Sequence, residues 1–260
     1  MKRNSAKSKL GEKGFLLGPF VEVGSPEIVE ILGLSGFDFA IIDCEHTAFS
    51  GEMAGNMIRA SATSDIAPLV RVRENAAGPI LEALDLGAVG LHIPRIATRD
   101  DARRAVRAAK FPPDGERGFN PFVRAASYGA QPSADFQQHA NDDTLLVLHI
   151  EARESIDQLD DILAEPGIDV AFLGPYDMSQ TLGVPGQVTH PLVQETMQAI
   201  VKAAAPRGVA VGCFADNLEQ AELWLRAGVS YLAYSVDSLM LRQAGTGVCA
   251  RIGELRQRLG

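Results

Sequence analysis

A chain of 260 residues with 46% hydrophobic content can bury one large core, and that length requires no second one. A formal charge of −9 and a pI near 5.1 exclude the basic footprint on which DNA or RNA binding rests. Cys44, Cys213 and Cys249 are odd in number, far apart and free of Cys-x-x-Cys spacing, which argues against a disulfide framework or thiolate zinc centre and for the cytoplasm.

Met1 to Lys13 is basic but is not followed by the apolar h-region of a signal peptide, and no run approaches the roughly 18 apolar residues of a membrane span. Residues 1 to about 12 read as a flexible tail, and residues 13–260 as a single domain. From Phe15 onward, strand-like runs alternate with amphipathic helical stretches, the pattern of a parallel sheet covered by helices. The first strand is Phe15 to Val21, followed by Ser25-Pro26-Glu27, an N-cap and an N1 proline opening a helix that ends at Gly36. The second, Phe39 to Asp43, precedes a helix from about Gly51 to Thr63. The third, Ala67 to Arg71, precedes a helix Pro79 to Leu86 that Gly87 terminates. Gly90 to Ile93 is the fourth, and Thr98-Arg99-Asp100-Asp101 has capping-box spacing before a helix ending near Lys110. A long loop, Phe111 to about Gln131, interrupts the rhythm. Strands Thr144 to Glu151, Val170 to Leu173, Val209 to Phe214 and Tyr231 to Ser235 follow, with a last helix from Asp237 towards Leu259. Right-handed crossovers and a count of eight point to a closed (β/α)₈ TIM barrel; an eight-stranded doubly wound sheet is the alternative the pattern leaves open.

In such a barrel the chemistry lies just past the C-terminal ends of the strands. Phe37-Asp38-Phe39-Ala40-Ile41-Ile42-Asp43-Cys44-Glu45-His46 is an apolar run that stops in ionisable groups. An imidazole beside carboxylates can act as a general base near neutral pH. The third strand ends in Arg71, the fifth in Glu151, and the sixth is followed by Gly174-Pro175-Tyr176-Asp177. Two carboxylates from neighbouring strands, Glu151 and Asp177, suit a hard divalent cation such as Mg²⁺ or Mn²⁺. Asp177 is equally placed to N-cap a short helix. Arg71 is placed to hold a carboxylate or a developing enolate oxygen. Arg73 is expected on the same face, with pairing to Glu74 as the competing expectation. His149 points to the same side of its strand as Glu151, as a ligand, a donor behind it or a satisfied interior histidine. His92 invites the same reading; His139 and His190 fall in surface segments. Arg117, Asn120, Arg124 and Tyr128 of the long loop could reach the distal end of a substrate or serve subunit packing. A Schiff-base mechanism needs a lysine at a strand end, and none of the six lysines is so placed.

Taken together, Ile42-Asp43-Cys44-Glu45-His46, Leu69-Val70-Arg71, Phe111-Pro112-Pro113 with Arg117-Gly118, Ile150-Glu151-Ala152-Arg153-Glu154 and Phe172-Leu173-Gly174-Pro175-Tyr176-Asp177-Met178-Ser179 resemble the metal-dependent pyruvate aldolases of the 4-hydroxy-2-oxoheptanedioate and 2-dehydro-3-deoxyglucarate aldolase (HpcH/HpaI) family, from Gly14 to about Ala244. The resemblance implies aldol cleavage of a 4-hydroxy-2-oxo acid to pyruvate and an aldehyde through a metal-stabilised enolate, in aromatic or sugar-acid catabolism. It implies Glu151 and Asp177 as ligands of Mg²⁺, Mn²⁺ or Co²⁺, His46 supported by Asp43 as the acid/base, and Arg71 facing the keto or enolate oxygen. The substrate carboxylate is expected on backbone amides near Gly174, Pro175, Tyr176 and Asp177. Asp85 is the position matching an Asp that a neighbouring subunit contributes, and the implied assembly is a homohexamer, a trimer of dimers with an exchanged final helix. Cys44, Phe20 and His149 depart from the family's frequent Gly, Trp and Gln, so Phe20 bears on the aldehyde pocket and His149 on the metal. A citramalyl- or malyl-type acyl-CoA lyase and a non-catalytic oxo-acid-binding oligomer are the alternative readings.

Overall fold

The computed structural model describes residues 6–259. Eight parallel strands close into a barrel in sequence order: β1 (Leu16–Val21), β2 (Phe39–Asp43), β3 (Ala67–Arg71), β4 (Gly90–Ile93), β5 (Leu145–Ile150), β6 (Val170–Leu173), β7 (Ala210–Ala215) and β8 (Tyr231–Val236). The helices are α1 (Ala6–Lys13), α2 (Pro26–Leu34), α3 (Gly51–Ala60), α4 (Ala77–Asp85), α5 (Arg99–Ala109), α6 (Ser133–Asp143), α7 (Arg153–Asp157), α8 (Leu159–Leu163), α9 (Pro175–Thr181), α10 (Pro191–Ala204), α11 (Leu218–Ala227) and α12 (Asp237–Leu259). The closed order β1 to β8 removes the doubly wound alternative.

The strands read as continuous apolar runs because both of their faces are covered. Alternate residues divide between two cores. Val21, Ile42, Val70, Leu91, Leu148 and Leu173 pack outward against the helices. Leu16, Phe39, Ile41, Leu69, Val147 and Phe172 fill the barrel interior. Each fully buried Leu, Ile or Phe contributes about 1.5–3 kcal/mol of transfer free energy, so the interior is a packed solid rather than a channel. Gly18 marks a close approach of two strands: a Cβ there would sit 2.1 Å from the carbonyl oxygen of Phe39 on β2.

The caps match the sequence in part. Thr98 and Asp101 form the expected capping box on α5. Ser25 occupies the N-cap of α2 in extended conformation, but its hydroxyl donates to Glu27 instead of capping. Within the expected flexible tail, residues 6–12 belong to α1; residues 1–5 lie outside the described residues. The reason is visible at the floor of the barrel. Ala6 is fully buried and Leu10 packs with it on the interior cluster, while lysines of the same helix reach acids at the N-terminal ends of three strands. Lys13 pairs with Asp38 before β2, Lys9 donates to the Asp65 carbonyl before β3, and Lys7 lies 2.8 Å from Asp169 before β6. The basic character that reads as a tail is thus a complement to an acidic ring.

α6 occupies the stretch between the long loop and β5. At the other end, every residue of α12 from 241 to 259 is exposed, so most of that helix projects from the barrel.

Candidate active site

The parallel register brings the C-terminal ends of the strands to one rim. Asp43 on β2 and Arg71 on β3 are register partners. Asp43 is fully buried, and its carboxylate receives Arg71 Nε at 2.9 Å and Nη2 at 2.5 Å, a two-pronged pair. The same carboxylate accepts the backbone N–H of Glu45 at 2.9 Å and of His46 at 3.3 Å. Asp43 therefore fixes the turn that carries His46, and it does so through the main chain. Asp43 is expected from the sequence to support His46, and the hydrogen bond between them runs to the His46 amide. Glu45 is the acid beside the imidazole, with Oε2 at 3.7 Å from His46 Nε2. Glu45 also meets Arg95 at 3.1 Å and Arg71 Nη1 at 3.7 Å.

Arg73 does not share the face of Arg71, because the alternation of β3 ends with the strand. Its guanidinium donates to the carbonyls of Cys44 at 3.2 Å and Phe49 at 2.5 Å, bracing the segment that holds His46, in place of the expected pairing with Glu74. Cys44 lines a cleft beside it with Phe49, Ala54 and Pro79. Burial pushes the Cys44 thiol up to about 11, and nearby Asp43 adds to the shift, so it stays a thiol at neutral pH.

Across the rim, Glu151 follows β5. Burial raises its carboxyl, but the hydrogen bond from His149 Nδ1 at 2.7 Å, the charge of Arg71 and the backbone N–H of Arg95 outweigh that and bring it below its ordinary value. The left-handed φ of 59° at Arg95 is the bend that turns the chain back after β4. Asp177 lies in the first turn of α9, where Gly174, not Asp177, is the N-cap; the capping alternative is therefore not realised. A Cβ at Gly174 would meet Asp177 Oδ2 at 2.8 Å, so the glycine leaves that carboxylate room. Partial burial, and then the charge of Glu151, raise the Asp177 carboxyl, while His149 and His46 oppose the shift. Glu151, close enough for its charge to disfavour ionisation of Asp177, forms with it a hard-oxygen donor pair suited to a divalent cation. No group of three His, Cys, Asp or Glu side chains able to hold a metal ion occurs among the described residues, so such a cation would take its remaining ligands from water or substrate.

Phe20 is buried beneath this rim, with the Arg71 guanidinium carbon 4.6 Å above its ring. Tyr176 reaches away to donate its hydroxyl to Asp216, and Pro175 is buried in the same turn. His149 and His92 are interior and satisfied: His92 Nδ1 lies 2.9 Å from His149 Nε2, and His92 Nε2 lies 2.8 Å from the Tyr231 hydroxyl.

Asp85 is not brought to this rim. It ends α4, which runs back against the strands to the opposite mouth, and it accepts from Arg117 at 2.9 Å. The loop expected to reach the substrate lies there too. Arg117 and Arg124 line a cleft with Val89 and Thr144, which precede β4 and β5, and Arg124 Nη1 approaches the Leu86 carbonyl at 3.4 Å. Asn120 accepts from the Phe122 backbone, and Tyr128 is 68% exposed. His139 is exposed and lines that same cleft, while His190 caps α10.

Three rim residues escaped the sequence reading. Glu22 follows inward-facing Phe20 and outward-facing Val21. Its carboxyl is raised by burial and then by Asp43 and Asp237, with Arg71 opposing. Ser235 at the end of β8 is 1% exposed, has a φ of 62°, and its hydroxyl has no partner. Arg95 is the third. The period-two alternation of β1 was the available signal for Glu22; a left-handed backbone at Ser235 and Arg95 leaves none in the sequence.

A sequence profile described as HpcH/HpaI aldolase/citrate lyase matches residues 16–244. A hydroxypyruvate/pyruvate aldolase of Paraburkholderia phytofirmans is 35% identical, over 93% of this chain and 94% of that protein. A 4-hydroxy-2-oxo-heptane-1,7-dioate aldolase of Shigella sonnei is 33% identical, over 96% and 95%. Among solved structures, the HpcH/HpaI aldolase from Desulfitobacterium hafniense DCB-2 superposes with a TM-score of 0.90 at 30% identity, covering 96% of this chain and 97% of that one. The chain therefore belongs to the HpcH/HpaI aldolase/citrate lyase family and is a lyase of the aldolase type.

Proposed function

We propose that this protein catalyses reversible aldol cleavage of a 4-hydroxy-2-oxo acid to pyruvate, or a related 2-oxo acid, and an aldehyde. The observation that carries the reading is the convergence of Glu151 and Asp177 with Arg71 and His46 on one rim. Glu151 and Asp177 would hold a divalent cation, which would supply Lewis acidity to the 2-oxo group, and their hard oxygens fit Mg²⁺, Mn²⁺ or Co²⁺. His46 takes the C4 hydroxyl proton on cleavage, or a methyl proton of pyruvate on synthesis, in a role worth about 10²- to 10⁴-fold. As the C3–C4 bond breaks, its electron pair moves towards C2, and Arg71, locked by Asp43, faces the charge gathering on the C2 oxygen. The C3 carbon then takes a proton to give pyruvate. The Gly174 to Asp177 turn receives the substrate carboxylate, and Phe20 floors the site.

The acyl-CoA lyase alternative is not favoured, since relatives matched across nearly the whole chain are oxo-acid aldolases. The exposed side of α12 carries Leu241, Val248, Ile252, Leu255 and Leu259 at helical spacing, which supports an exchanged helix in a hexamer. In such an assembly Asp85 and the loop at the far mouth would serve a neighbour's site. No helix of the described residues is long and apolar enough to cross a membrane. Three free thiols accord with a reducing, cytoplasmic setting.

Release of pyruvate from racemic 4-hydroxy-2-oxo acids, followed by coupling to lactate dehydrogenase, tests the reaction. Turnover without any thioester is expected; turnover only of CoA esters would contradict it. Light scattering is expected to give six copies, and a monomer would remove the exchanged helix.

A further inference from the structure

Behind Glu151 a line of hydrogen bonds descends into the barrel through side chains that take no part in the mechanism above. His149 Nδ1 to Glu151 Oε1 is 2.7 Å, His92 Nδ1 to His149 Nε2 is 2.9 Å, and Tyr231 Oη to His92 Nε2 is 2.8 Å. His149 is 1% exposed, and His92 and Tyr231 are fully buried. Phe172 packs against all three rings, and Phe39 stacks on Tyr231 at 4.3 Å.

The donor at the Glu151 end follows from elimination. Burial first, then the neighbouring His149 and Arg71, keeps the His92 ring neutral, so it carries one N–H; burial keeps Tyr231 a phenol. A carboxylate accepts and cannot donate, so His149 presents Nδ1–H to Glu151. The other His149 nitrogen meets His92 Nδ1, and His92 Nε2 meets the Tyr231 hydroxyl, so each ring is held at both of its nitrogens. A ring held at both nitrogens inside a packed core has no second orientation that keeps its polar atoms matched.

We propose that Tyr231, His92 and His149 form one positioning chain that fixes the Glu151 carboxylate, so that affinity for a divalent cation is set partly by residues that touch neither cation nor substrate. The effect on affinity rests on Glu151 being a ligand; the line of hydrogen bonds does not. Residues that hold a ligand from behind typically change metal affinity about 10- to 100-fold when removed.

The experiment uses the full-length protein and Mn²⁺ alone as probe. In cation-free protein labelled with ¹⁵N-histidine, His149 Nδ1 is expected to carry a proton bonded to Glu151. Titration of free Mn²⁺ by electron paramagnetic resonance is expected to give a dissociation constant raised about 10- to 100-fold in His149→Ala and at least about threefold in Tyr231→Phe. The phenylalanine keeps the stack on Phe39 and loses only the hydroxyl. His149→Gln, whose amide can still donate to Glu151, is expected to recover most of the affinity and to be insensitive to Tyr231→Phe. A packing role alone would lower thermal stability without moving the Mn²⁺ affinity. A His149 Nδ1 without a proton, Mn²⁺ affinity within about twofold of wild type in Tyr231→Phe, or an equal effect of Tyr231→Phe in the wild-type and His149→Gln backgrounds would overturn the proposal. If wild type binds no Mn²⁺, both the ligand reading and the affinity proposal fall, while the proton on His149 Nδ1 still tests the bond to Glu151. Should Tyr231→Phe fail to fold, the proton on His149 Nδ1 in wild type and the His149→Gln against His149→Ala comparison decide.

Discussion

His46 carries its side chain in the open, 63% exposed, with Glu45 within 3.7 Å and a main chain pinned by Asp43. Its removal therefore disturbs little packing. His46→Ala is expected to lower turnover by about 10²- to 10⁴-fold while leaving Mn²⁺ affinity within a few-fold of wild type, measured by steady-state kinetics and metal titration. Full residual activity would remove the imidazole from the mechanism. Asp177 gives a pH test whose sign follows from its raised carboxyl. Relative to the unfolded chain, the folded cation-free protein holds this proton to higher pH. This carboxyl therefore favours the fold most below the ordinary value of 3.8, and that contribution is lost as pH rises through the raised value. At neutral pH, Asp177→Asn is expected to raise the melting temperature of cation-free protein slightly and to abolish the further rise that Mn²⁺ gives wild type. Cation affinity of wild type is expected to fall as pH descends towards the raised value, because the proton and the cation compete for one carboxylate. Calorimetry at several pH values reads both effects, and an unchanged Mn²⁺ response in Asp177→Asn would exclude it as a ligand.

Among the elements, α1 is the one whose role departs most from its sequence character. Its apolar side, Ala6 and Leu10, closes the floor of the interior, and its lysines face acids beneath three strands. Exposed ion pairs are worth about 0–1 kcal/mol each, so the apolar contact carries most of the stabilisation. Deleting residues 1–13 is expected to lower the melting temperature by on the order of 5 °C or more. Replacing Lys7, Lys9 and Lys13 by alanine is expected to cost less, with a loss that shrinks in high salt. A deletion variant as stable as the whole chain would show that the floor seals without the helix. The first turn of α9 works the other way: seven residues held by Pro175 and a close approach over Gly174 serve to aim Asp177 rather than to stabilise the fold.

In the molecule as a whole, the barrel was legible because strands buried on both faces read as uninterrupted apolar runs, and helix caps such as Thr98 with Asp101 punctuate them. The rim was legible where an ionisable residue ends such a run, as at Asp43, Arg71 and Glu151. Side-chain choices beyond the last strand residue were not. Whether Asp43 or Glu45 turns to the His46 ring, and whether Arg73 follows Arg71 or braces the 44–49 segment, depends on loop backbone that has no periodicity to read. Nor does a single chain's sequence locate Asp85, which its fold carries to the mouth opposite Glu151. The most direct measurement of the central claim is exchange of the pyruvate methyl protons in D₂O, followed by proton NMR on enzyme before chelation, after chelation and after return of Mg²⁺, Mn²⁺ or Co²⁺. Exchange that vanishes with the cation and returns with it is the expected result; exchange at full rate in chelated enzyme, or none at saturating cation, would contradict the role given to Glu151 and Asp177.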